Sequence, residues 1–214
     1  THVGENRVAV GRDFDPDTGK LKSPDKVMIL GAEQAKELHE EVKAAQAVVE
    51  SVEENPYTRS PAAPYVTSTL QQDANAKLRM AARRTMQLAQ QLYENGFITY
   101  MRTDSTTLSS EALDASRKYV ATEFGEQYLP EKARLYRTKV KNAQEAHEAI
   151  RPAGASFTPP DVVAKALGSE AAKVYQLIFR RTLASQMKDA RGTNVAVGIR
   201  SGQALFRASG KTVE

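Results

Sequence analysis

The sequence predicts an α+β chain, with a mostly helical domain, residues 60–186, inserted into a β-rich domain formed by both chain ends, residues 1–59 and 187–214. Three observations predict it. Short β-type runs separated by turn residues occupy the two ends. Helical periodicity with cap residues fills the middle. Between the first end and the middle, the segment 55–64, NPYTRSPAAP, places three prolines in ten residues and reads as a linker.

The elements follow in order. Arg7–Val10 and Val27–Leu30 are short β-type runs, separated by the turn cluster Asp15-Pro16-Asp17-Thr18-Gly19. Ala32–Val42 has the composition of a short helix, and Gln46–Val52 returns to strand. In the middle, Ser68 with Gln71, or Thr69 with Gln72, offers a capping box for a helix running to about Met80. A second helix, 83–94, ends at Asn95-Gly96, a pair suited to a left-handed cap. Phe97-Ile98-Thr99-Tyr100-Met101 then reads as a strand. Two helices followed by a strand predict a winged-helix-like element, an arrangement that many non-binding domains share. Further helices are expected at 110–124, 142–150, 160–167 and 169–187, with Pro152 and Pro159-Pro160 as stops. At the far end, 193–200 and 204–207 alternate as strands around Gly202.

Composition narrows the function classes. No apolar run approaches the ~20 residues of a membrane span, and the first residues have no apolar signal core. There is no cysteine, so thiol catalysis, disulfides and Cys-based zinc sites within the chain are excluded. A reducing compartment fits the absence of cysteine. The net charge of +4 is unevenly spread. Residues 1–59 carry −4, residues 60–186 carry +5 and residues 187–214 carry +3. A basic middle and tail suit a polyanion, and equally a solvated lysine-rich surface.

The most informative stretch is 96–105, GFITYMRTDS. If residues 98–102 are extended, Tyr100 and Arg102 share one face. A phenol is a poor nucleophile at neutral pH, because it ionises only near pH ~10. A neighbouring guanidinium favours the phenolate and can also grip two phosphate oxygens. The pair therefore suits attack on a phosphodiester. Taken by themselves, these residues more often serve as a strand-end tyrosine half buried against its sheet, with Arg102 paired to Asp104. Thr103, Asp104 and Ser105 equally serve as turn and cap residues. A second cluster lies in 145–152, EAHEAIRP, where His147 and Arg151 would share a helix face and bracket a phosphate. It is no H-E-x-x-H zinc motif, since position 151 is Arg. No phosphate-binding G-x-x-x-x-G-K-[ST] loop occurs in the sequence.

Three stretches carry a resemblance. Residues 97–105, FITYMRTDS, resemble the active-site signature of bacterial type IA DNA topoisomerases. Residues 144–152, QEAHEAIRP, and 63–72, APYVTSTLQQ, resemble two further signatures of that family, in the family's order. The resemblance covers nearly the whole chain. It implies that Tyr100 attacks one DNA strand and is linked transiently to its 5′ phosphate while another strand passes. Negative supercoils would relax without ATP. Arg102 would hold the scissile phosphate. His147, Arg151, Thr103, Asp104, Ser105, Ser68, Thr69 and Gln72 would contact DNA or phosphate. The implied partners are single-stranded DNA, negatively supercoiled duplex and the remaining domains of the same polypeptide. Residues 60–186 would be the gate and the ends part of a hinging β-rich arch. The family's acidic magnesium-binding domain has no counterpart here, so Mg²⁺ ligands are expected outside this chain, and the chain alone is expected to be inactive.

Two other readings compete. Tyrosine recombinases also combine tyrosine, arginine and histidine, but there the tyrosine follows its arginines, whereas Tyr100 precedes most of the candidates here. A non-catalytic winged-helix module that grips DNA by a basic face is the other alternative.

Overall fold

A computed structural model of the chain describes residues 1–136 and 148–214. The α+β class holds, and the chain divides into two compact units, 1–59 with 190–214 and 60–189.

The first unit is a five-stranded antiparallel sheet in the order β2-β1-β5-β4-β3. Its strands are β1 (His2–Val3), β2 (Asn6–Arg7), β3 (Val48–Arg59), β4 (Ala190–Ser201) and β5 (Ala204–Lys211). The long β3–β4 ladder runs from Val48 opposite Arg200 to Arg59 opposite Ala190. An ion pair from Arg200 of β4 to Glu50 of β3 reinforces it, and Arg207 of β5 reaches across β4 to Glu53 of β3. Gly202, in the left-handed region at φ +57°, turns the chain from β4 to β5. The helix α1 (Ala32–Ala44) is tied to that turn, where the Ser201 hydroxyl donates to the Val42 carbonyl and the Gln203 N–H to the Glu41 carboxylate.

Two expectations are corrected here. The segment expected as a linker from 55 to 64 is strand as far as Arg59, with Pro56 opposite Thr193. An edge strand tolerates proline because one of its flanks needs no N–H, and β3 is the edge. The run Val27–Leu30 forms no strand, only a single parallel bridge between Val8 and Met28.

The second unit packs around α6 (Ser169–Ser185). This helix buries Val174, Tyr175, Ile178, Phe179, Thr182 and Leu183, the spacing that turns one stripe inward. Around it lie α2 (Thr67–Leu78), α3 (Ala82–Glu94), α4 (Ser110–Glu123) and α5 (Pro160–Leu167). From α3, Leu88, Ala89 and Leu92 enter the same core. Buried polar groups find partners: the Tyr175 hydroxyl donates to the Thr158 carbonyl at 2.6 Å, and the Gln186 amide exchanges two hydrogen bonds with the Arg134 backbone, both 3.1 Å.

The boundaries of α2 differ from those expected. It starts at Thr67, and neither Ser68 nor Thr69 is the N-cap. Thr69 sits at the third helical position, and its hydroxyl accepts from the Val66 N–H at 3.1 Å. The expected strand at 97–101 is reduced to one bridge, Ile98 with Pro152. The expected helix at 142–150 lies mostly outside the described residues, and its end, 148–150, is extended, with Ile150 bridged to Tyr65.

Candidate active site

The route into the site begins at the end of α3. The Gly96 N–H donates to the Tyr93 carbonyl and the Phe97 N–H to the Leu92 carbonyl, both 2.9 Å, with Gly96 at φ +74°. This Schellman closure reverses the chain and aims 97–103 away from the helix axis.

That stretch is held by two partners distant in sequence. On one side, Thr99 donates its N–H to the Arg151 carbonyl at 2.9 Å and its hydroxyl to the Ala149 carbonyl at 2.7 Å. The same hydroxyl accepts from the Arg151 N–H at 3.0 Å. On the other side, Thr67 donates its N–H to the Thr103 carbonyl and accepts the Thr103 N–H on its hydroxyl, both 3.0 Å. A third link joins the outer two, as the Ile150 N–H donates to the Tyr65 carbonyl at 2.8 Å. The three signature stretches, far apart in sequence, thus meet through their backbones.

Between the two threonine ties lie Tyr100, Met101 and Arg102, with Met101 buried in the core between two exposed neighbours. Tyr100 is 43 % exposed, and its ring meets that of Tyr93 edge to face with centroids 5.3 Å apart. Arg102 is exposed and makes no ion pair with any described residue, Asp104 included. Tyr100 and Arg102 do not lie on a regular strand as the spacing predicts. Residues 101 and 102 bend, because Thr67 draws 101–103 toward the start of α2. The geometry leaves the Tyr100 phenol and the Arg102 guanidinium, which has no ion-pair partner among the described residues, exposed on a backbone fastened at both ends.

The other sequence-derived candidates divide. Ser68, Thr69 and Gln72 are exposed on the first turns of α2, one to five residues beyond Thr67. Asp104 is exposed. Ser105 is buried, its hydroxyl accepting from the Thr107 N–H at 3.2 Å, and the Thr103 hydroxyl accepts from the Ser105 N–H. These two hydroxyls shape the loop. His147 lies outside the described residues. Arg151 lies in no helix, is joined through its backbone to Thr99, and is 6 % exposed. Its guanidinium donates to Glu148 at 2.7 and 3.2 Å and to the Pro152 carbonyl at 2.9 Å. Glu148 in turn accepts from the Ser109 N–H at 2.7 Å at the start of α4. Burial would raise the Glu148 pKa, but the hydrogen bonds from Arg151 and Ser109 outweigh it and hold the carboxyl below its ordinary range. Thr67, Thr99, Tyr93 and Glu148 are residues that sequence reasoning passed over. For Thr67, Thr99 and Glu148 the available signal was their place inside the three signature stretches.

Behind the loop sits a charged cluster. The buried Tyr65 donates to the Asp73 carboxylate, which also accepts from Lys77 at 2.7 Å and Arg181 at 2.6 Å. The Arg181 guanidinium lies 4.4 Å from the centre of the Tyr65 ring. Burial, then the bond to Asp73, pushes the Tyr65 phenol up to about 12. Burial opposes ionisation of Asp73, but its three donors hold it at about 2. Tyr65 is therefore held in its neutral form as a buried scaffold group. Among the described residues no three His, Cys, Asp or Glu side chains come together where a metal could be held. No described helix is long and apolar enough to cross a membrane.

An exposed tyrosine thus stands where three segments distant in sequence converge, and comparison with known proteins gives the family. The chain belongs to the DNA topoisomerase family, whose profile matches residues 9–214. It is 53 % identical over 216 residues to the DNA topoisomerase 1 of Mycolicibacterium smegmatis, covering 99 % of this chain and 23 % of that protein. It is 51 % identical over 217 residues to the DNA topoisomerase 1 of Streptomyces coelicolor, covering 99 % of this chain and 22 % of the other. Among solved structures, full-length topoisomerase I from Thermotoga maritima superposes with a TM-score of 0.66 at 36 % identity, over 89 % of this chain and 31 % of that one. The chain thus spans less than a quarter of the length of these two sequence relatives.

Proposed function

We propose that this chain supplies the strand-cleaving tyrosine of a type IA DNA topoisomerase. The Tyr100 phenolic oxygen attacks a backbone phosphorus of single-stranded DNA. The P–O bond to the 3′ oxygen breaks, that oxygen takes up a proton as the phenol loses one, and a 5′ phosphotyrosine link remains. After another strand or duplex has passed, the 3′ hydroxyl attacks the link and restores the backbone. One phosphodiester is exchanged for another, so no ATP is consumed and negative supercoils relax. Arg102 binds the scissile phosphate and offsets charge developing on its oxygens. Ser68, Thr69, Gln72 and Asp104 face the strand near the loop, with His147 a further contact. Arg151 serves the same site from inside, by holding the 148–151 segment against Thr99. Residues 60–189 act as the gate, the sheet unit as part of the arch, and the protein works in the nucleoid.

The observation that carries this reading is the placement of an exposed phenol and an exposed guanidinium two residues apart, on a stretch tied down at Thr99 and Thr103. Preorganisation of that kind is what transfer to a phosphate requires. The magnesium that the family resemblance implies would take its ligands from an acidic domain outside this chain and would help offset charge on the phosphate. By itself the chain would bind DNA weakly, in a salt-sensitive way, and would not relax supercoils.

The test places this chain in a full-length frame, replacing the matching segment of the Mycolicibacterium smegmatis relative. Labelled single-stranded DNA should become covalently attached, as read on a denaturing gel. Tyr100→Phe should abolish the adduct while DNA binding stays within about three-fold, because only the nucleophilic oxygen is lost. An adduct formed by Tyr100→Phe would show the nucleophile to be elsewhere.

A further inference from the structure

We infer that Thr67 is a positioning residue for the strand transfer, acting through its hydroxyl on the loop that carries Tyr100 and Arg102. The inference rests on the function proposed above. Thr67 is the first residue of α2 and is half-buried. Its Oγ1 lies 2.9 Å from the Met101 carbonyl and 3.1 Å from the Thr103 carbonyl, and it accepts the Thr103 N–H at 3.0 Å. Its own N–H donates to the Thr103 carbonyl at 3.0 Å. A hydroxyl has one proton, so it serves one of the two carbonyls at a time while accepting the amide. All these contacts grip the residues flanking Arg102, whose side chain is left free.

Helix formation does not call for this hydroxyl. Threonine has only middling helix propensity, and the Thr67 side chain is not the N-cap of α2. Thr69, not Thr67, satisfies the Val66 N–H. A valine at position 67 would keep the β-branched shape and the packing, and the backbone bond to Thr103 would survive. What it would lose is the side-chain clasp on both sides of Arg102. The same helix turn presents Ser68, Thr69 and Gln72 to solvent. Thr67 therefore sets the register between the helix face that would meet the strand and the loop that would cut it. Thr99 fastens the other flank of Tyr100 through the Ala149 carbonyl and the Arg151 N–H.

The test compares Thr67→Val and Thr67→Ser in the same full-length frame. Rates of adduct formation are measured at saturating labelled oligonucleotide and expressed per DNA-binding molecule, so that any loss of folded protein is divided out. Thr67→Val should form the adduct about 10- to 100-fold more slowly with affinity within about three-fold, because a displacement of about 1 Å is enough to cost this much. Thr67→Ser keeps the hydroxyl and should stay within about three-fold of the unsubstituted rate. An unchanged rate per bound molecule in Thr67→Val, or a Thr67→Ser as slow as Thr67→Val, overturns the inference while leaving Tyr100 as nucleophile. Failure of the unsubstituted chain to form any adduct overturns the proposed function, and this inference with it.

Discussion

Removing the Glu148 carboxylate should separate a scaffold role for Arg151 from a phosphate-binding one. In Glu148→Ala, the Arg151 guanidinium loses its bonds at 2.7 and 3.2 Å, and the Ser109 N–H loses its acceptor at 2.7 Å. The arginine side chain is 8 % exposed, so water cannot readily replace the carboxylate. Breaking a buried pair from one side costs about 3–5 kcal/mol. Glu148 is 28 % exposed, which puts the expected loss at the lower end, about 3 kcal/mol. For a unit of this size that corresponds to a fall in Tm of roughly 10 °C. Arg151→Met should cost less, since the carboxylate left behind can turn toward solvent. The double substitution should be milder than the sum, with a coupling of about 2 kcal/mol between the sites. The assay is chemical and thermal unfolding of the four proteins followed by the helical circular dichroism signal. Most of that signal comes from residues 60–189, which hold five of the six α-helices among the described residues. A Glu148→Ala loss below about 1 kcal/mol with additive single effects would refute the buried-pair reasoning. It would return Arg151 to the phosphate-binding role that its place in the signature implies.

Three further outcomes follow from the same structure. Asp73 is held at about 2 by its donors, so its ionisation stabilises the fold above the unfolded carboxyl range, near pH ~4, and that contribution is lost as pH falls toward 2. Glu148 is lowered as well and adds a loss of the same sign. Thermal melts from pH 6 down to 2 should therefore show a steep fall that Asp73→Asn makes shallower, and an unaltered slope would contradict the assignment. Arg102→Lys keeps a charge but loses the planar fork, and should slow adduct formation by about 10²-fold with DNA affinity little changed, as measured by single-turnover cleavage. Gly192→Ala would place a Cβ 2.1 Å from the Thr212 carbonyl oxygen, whereas Gly210→Ala meets nothing within 4 Å. The first should destabilise the sheet unit by about 1–3 kcal/mol and speed amide exchange along β4, and the second should be nearly neutral.

Much of the helical framework is written in short-range pattern. The residues Leu88, Ala89 and Leu92 set the inward stripe of α3, and Asn95-Gly96 sets its end, where the Schellman closure forms. Each of those signals acts over four residues or fewer, so sequence alone carries it. The Tyr100 loop is different. Val, Ile, Thr and Tyr around position 100 have strand character, yet strand needs a partner, and the available partners are 148–153 and the first turn of α2. Pro56 likewise reads as a break in sequence and stands within β3 because that strand lies at an edge.

By itself the sequence singled out the residues proposed to carry chemistry, the tyrosine and arginine of 97–105, and the two other stretches that resemble signatures of the same family. It also determined the helices that surround them, and the charge that suits a polyanion. Only the tertiary structure decided which partners the residues of those stretches meet. It turned Arg151 inward onto Glu148, left Arg102 unpaired, and set Thr67 and Thr99 as the ties on either side of Tyr100. The physical reason is range. Helix periodicity and caps are satisfied by near neighbours, whereas these hydrogen bonds join Thr67 to Thr103 across 36 residues and Thr99 to Arg151 across 52. Pairings that distant exist only once the helices around α6 have brought the segments together.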